Sequence, residues 1–72
     1  MRKLIISNFP PDTTEQEIAR LFGDYRVELV VLKPEKYAIV TFEDDWSATR
    51  ALENWHCVDW YGYRLRVKRA QW

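Results

Sequence analysis

The chain has 72 residues, enough for one domain and one core, and a domain of this size buries only about 60% of its unfolded surface, so its stability margin is thin. Hydrophobic residues make up 47% and charged residues 31%, and no apolar run approaches the roughly 18 residues of a membrane span, which excludes a disordered or a transmembrane chain. Eleven basic against eleven acidic residues give no global field to attract a polyanion, so any nucleic-acid contact has to come from local clustering.

In chain order, Leu4 and Ile6 alternate with Lys3, Ile5 and Ser7, which reads as a first strand with Leu4 and Ile6 inward. Thr14 and Glu17 have the spacing of a capping box, and Ile18, Leu21 and Phe22 then form the stripe of a short helix. Gly23-Asp24 breaks it, Tyr25 is expected under the turn, and Val27 to Leu32 make a second strand. The link Lys33-Pro34-Glu35-Lys36 is short enough for an antiparallel hairpin into a third strand, the octamer Glu35 to Phe42. There Ala38, Val40 and Phe42 share one face, and Tyr37, Ile39 and Thr41 share the other.

The acidic run Glu43-Asp44-Asp45 suits the N-terminal end of a second helix, one aspartate capping it, better than it suits a metal. Ala48, Ala51, Leu52 and Trp55 follow at the spacing of a buried helix face. His56-Cys57 ends the helix, Gly62 marks a tight turn, and Leu65 and Val67 alternate with Arg64, Arg66 and Lys68 in a last strand. The order β-α-β-β-α-β predicts an α+β, ferredoxin-like sandwich: a four-stranded antiparallel sheet with two helices on one face and the other face open.

On these residues the chain resembles the RNA-recognition motif. Tyr37, Ala38, Val40 and Phe42 match the family's third-strand octamer, Leu4 to Phe9 resembles its first-strand hexamer, and Ala48, Ala51, Leu52, Gly62, Leu65 and Val67 fall at its usual spacing. The resemblance spans about Arg2 to Arg69. It implies RNA bases stacked on aromatics at three sheet positions, which here hold Ile5, Tyr37 and Ile39. Each such platform is worth roughly 1 to 3 kcal/mol, so two missing aromatics imply binding weaker by about one to four decades. Glu35 and Lys36 stand where the family's octamer opens with a cation and a glycine.

The expected function is therefore a module for single-stranded RNA, of weak to moderate affinity. Tyr37 stacks a base, Lys3, Arg66 and Lys68 neutralise phosphates, and Ile5 and Ile39 make apolar contacts. The basic cluster also includes Arg2, Arg64 and Arg69, and for each residue a solvated strand edge is the competing reading. The alternative function is a protein-interaction or self-associating domain. It would use the apolar sheet residues Leu29 and Val31, or the side bearing Trp46, Trp60 and Tyr61, with Trp46 placed one helical turn before Arg50. Trp72 could fold back over one or two sheet residues, though not over the whole face.

Enzymatic readings fail on inventory. His56 and Cys57, the one histidine and the one cysteine, are adjacent in sequence and cannot converge on a substrate or complete a zinc site, and there is no phosphate loop or nucleophile motif. No catalytic residue, metal, cofactor or small-molecule substrate is expected. A lone cysteine, together with only three apolar residues between Lys3 and Ser7, predicts a reducing, nuclear or cytoplasmic setting without a signal peptide. The chain starts two residues before its first strand and stops just after its last, as a piece of a longer protein would.

Overall fold

The structure, a computed structural model, describes residues 1–70, so the expectation for Trp72 lies outside the described residues. Leu4, Ile6, Ala38, Val40 and Phe42 are shut from solvent, and the elements that carry them set the architecture. Strand β1 (Lys3–Ser7) leads to helix α1 (Glu15–Leu21), then β2 (Val27–Lys33), β3 (Tyr37–Phe42), helix α2 (Asp45–Trp55), a short hairpin of β4 (Asp59–Trp60) and β5 (Tyr63–Arg64), and β6 (Arg66–Arg69). The main sheet is antiparallel with the order β2-β3-β1-β6, and β4 and β5 form a separate two-stranded ribbon.

Both helices start where the sequence places their caps. Thr14 Oγ1 accepts from Glu17 N–H at 3.2 Å while Glu17 Oε1 accepts from Thr14 N–H at 2.9 Å, so two otherwise unpaired amides are satisfied reciprocally. Asp44 Oδ1 accepts from Ser47 N–H at 2.7 Å, which makes the acidic run a helix start. Ala48 and Ala51 are fully buried and let α2 lie close to the sheet. Phe22 is the hub of the core, packing edge-to-face on Phe42, Trp55 and Tyr25 with ring centroids 6.1, 6.2 and 6.5 Å away.

Three boundaries differ from the sequence reading. The third strand begins at Tyr37 rather than Glu35, because Lys36 N–H turns back to the Lys33 carbonyl at 3.0 Å and Lys36 is left-handed, with φ 72°. Tyr61 (φ 53°) and Gly62 (φ 82°) place two left-handed residues in succession, the requirement of a tight hairpin turn, and this turn builds the β4–β5 ribbon that periodicity misses. The last strand is interrupted at Leu65, whose N–H bonds the Val58 carbonyl and whose carbonyl accepts from Cys57 N–H, both at 2.9 Å.

Each outer edge of the sheet has a side chain on one of its amides. On β2 the Leu32 N–H donates to Glu15 Oε2 at 2.8 Å, and on β6 the Val67 N–H donates to His56 Nδ1 at 3.2 Å. Cys57 is left-handed (φ 67°) and exposed.

Candidate nucleic-acid interface

Strand alternation and register convert four short stretches of sequence into a grid on the face opposite the helices. One row runs Leu29, Thr41, Lys3; the next Val31, Ile39, Ile5, Lys68; the third Lys33, Tyr37, Ser7, Arg66. With neighbouring strands about 4.8 Å apart, the four-strand rows are about 14 Å wide. Val31, Ile39 and Ile5 are therefore one continuous apolar strip, with Lys68 at its end. Tyr37 lies between Lys33 and Ser7 in the adjoining row.

The β2 strand reaches this arrangement through a bulge. Its register shifts between Val27 and Leu29, so that Val27, Val30 and Leu32 pack on the core while Leu29 and Val31 face outward. Leu29 is 55% exposed, whereas Val31, Ile5, Ile39 and Tyr37 are half-buried by one another. Thr41 is only 7% exposed despite its place on the outer face.

Ion pairing sorts the basic cluster. Arg2 reaches Glu28 at 3.8 Å, and Arg69 turns to Asp45 at 3.5 Å and to Thr49 Oγ1 at 2.9 Å, so both are directed away from the face. None of the four ion pairs among the described residues involves Lys3, Lys33, Arg66 or Lys68. Those four cations surround the apolar strip and Tyr37. Lys68 stands across from Ile5, and Arg66 stands one row along, across from Ser7.

Lys33 is the residue that the sequence reading of this face missed. The signal was present: Leu29 and Val31 at outward positions put Lys33 next in the same alternation. The protein-interaction reading offers two separate surfaces. Leu29 and Val31 are on the sheet, Trp46 is on α2, 71% exposed with Arg50 5.5 Å from its ring, and Trp60 and Tyr61 lie with tilted rings 5.1 Å apart in the ribbon hairpin beside α1. Trp60 packs against the core, and Tyr61 is 77% exposed.

The model of the RNA recognition motif family matches residues 4–66. The human RNA-binding protein 4B is 35% identical over 71 residues, an alignment that takes in 99% of this chain and 20% of that protein. The Arabidopsis thaliana serine/arginine-rich splicing factor SR34B is 34% identical over 74 residues, covering 96% of this chain and 27% of its own length. The chain thus spans about a fifth to a quarter of these curated relatives. Among solved structures, the Pes4 RRM3 structure superimposes with a TM-score of 0.92 at 25% identity, over 99% of this chain and 93% of the other. With a family model over most of its length and two relatives above 30% identity, this chain belongs to the RNA recognition motif family.

Proposed function

We propose that this domain binds single-stranded RNA on the open face of its sheet, with weak to moderate affinity and little sequence discrimination of its own. The observation that carries the reading is the grid itself: one aromatic ring and an apolar strip on a face bordered by four cations that have no carboxylate partner among the described residues. Tyr37 stacks a base. Ile5 and Ile39 give flat apolar contact where an aromatic platform would hold a base more tightly, and Lys3, Arg66 and Lys68 contact phosphates. Such a role belongs in the nucleus or cytoplasm, in keeping with relatives named as RNA-binding and splicing proteins.

The test is a titration of the amide spectrum with a pool of short random single-stranded RNAs at low salt. Shifts at Ile5, Tyr37, Ile39, Arg66 and Lys68 are expected, and they should weaken as salt rises. A folded spectrum in which the sheet stays silent removes RNA from the account.

A further inference from the structure

The chain carries no net charge at pH 7, but its charges are sorted by layer. Residues 12–26 and 43–53, which hold both helices, contain eight of the eleven acidic residues and three of the eleven basic ones. The strands and hairpins contain the reverse, eight basic and three acidic. A neutral molecule with one negative and one positive side finds a complementary surface on every other copy of itself, and no net repulsion keeps the copies apart.

The helix layer also has an apolar knob at a defined distance from a carboxylate. Ser47, Ala48 and Ala51 turn one side of α2 into the core, and the opposite side carries Trp46, Arg50 and Glu53, all exposed. Arg50 is held over the Trp46 ring, while Glu53 makes no ion pair among the described residues. Trp46 and Glu53 are seven positions apart, so they stand in line along the helix with a rise of about 10 Å between them. The open sheet face repeats this spacing in complementary types. In the row Val31, Ile39, Ile5, Lys68, two strand spacings separate Ile39 from Lys68, again about 10 Å. Lys68, like Glu53, has no ion-pair partner among the described residues.

We propose that the open sheet face receives α2 of a second copy of this chain, laid across the strands with Trp46 on the apolar strip at Ile39 and Glu53 at Lys68. The sheet strip and the Trp46 side, separate on one copy, meet between copies. Each copy offers one helix and one face, so the contact is heterologous and association runs head to tail. It is weakened by salt, because the charges that select it are exposed. It also occupies the surface assigned above to RNA, so a bound strand and a second copy exclude one another. The contact itself does not depend on the RNA reading.

The experiment is sedimentation over rising protein concentration at low salt, with amide spectra of each variant as the check on folding. The wild type should associate, and should return to monomer when salt or pentauridylate is added. Trp46→Ser and Glu53→Lys should each weaken association by about tenfold, while pentauridylate affinity of the dilute monomer stays within about twofold of the wild type. Both positions are exposed on the helix, so native-like spectra are expected. Lys68→Glu should weaken association to a similar degree. Glu53→Lys and Lys68→Glu combined in one chain should restore it, because the exchanged charges meet again between copies. A wild type that stays monomeric at low salt overturns the proposal. So does an association that ignores Trp46→Ser, that the charge exchange fails to restore, or that persists once RNA has saturated the sheet. The RNA reading is judged separately: pentauridylate shifts on the sheet of the dilute monomer uphold it whatever the copies do, and their absence removes it while leaving the association test intact.

Discussion

Ile5 and Ile6 are the same residue type, adjacent on the same strand, and they have opposite fates. Ile6 is fully buried against α1 and α2 with Leu4, Val40 and Phe42, whereas Ile5 faces outward between Ile39 and Lys68. The inner side of the sheet is almost wholly apolar, and the outer side keeps an apolar strip among its polar and charged residues. What separates them is that the helices cover one and nothing among the described residues covers the other. Composition therefore says that the strands are apolar, and only period and layer order say which half is core and which half is surface to be used.

The largest expected effect is the sharpest form of that contrast. Ile6→Ala should lower stability by about 2–5 kcal/mol, a large part of the roughly 4 to 11 kcal/mol that a domain of this length has. Ile5→Ala should cost about 1 kcal/mol or less and instead weaken RNA binding. Urea unfolding followed by tryptophan fluorescence reads both, and equal losses would erase the distinction between the faces.

Next comes Tyr37→Ala, expected to reduce RNA affinity by about 1–3 kcal/mol with little change in unfolding midpoint. Smaller again is Lys68→Gln, which should lower the slope of log affinity against log salt by about 0.7. Arg69→Gln, the next residue along but turned to Asp45 and Thr49, should leave that slope alone.

The smallest effect is expected on neither face. The Ser47 backbone N–H, the main cause, holds the half-buried Asp44 carboxyl below the ordinary aspartate value of 3.8. A group whose value is depressed by folding stabilises the fold above its unfolded value, and that contribution is lost as pH falls through the folded one. The wild type should therefore be slightly more stable than Asp44→Ala at neutral pH. In paired thermal melts the difference should close as the pH drops below about 3.8.

Most of this fold was legible because its signals are redundant. Thr14 with Glu17, and Asp44 before Ala48 and Ala51, each specify a helix start and a buried stripe together, and the alternation in β1 and β3 places the core unaided. The ribbon was not legible. Its turn puts a tyrosine where asparagine or aspartate would advertise a left-handed residue, and its two-residue strands are too short to show a period. The site was half legible. Ile5, Tyr37, Ile39 and Lys68 follow from alternation, but the place of Arg66 depends on a register that Leu65 sets by leaving the ladder. Nor does spacing reveal that Arg2 and Arg69 are drawn aside by Glu28 and Asp45.

The Glu15 carboxylate on Leu32 and the His56 imidazole on Val67 have a consequence for crowded solutions. A small sheet with a bare apolar face and two unpaired margins is close to a nucleus for fibril growth, since another strand can dock on either margin and leave the same problem one strand further on. Here one backbone donor on each margin is already taken by a side chain. Such plugs work against sideways growth of the sheet without touching its face. The domain can thus keep an uncovered surface for a ligand while remaining four strands wide.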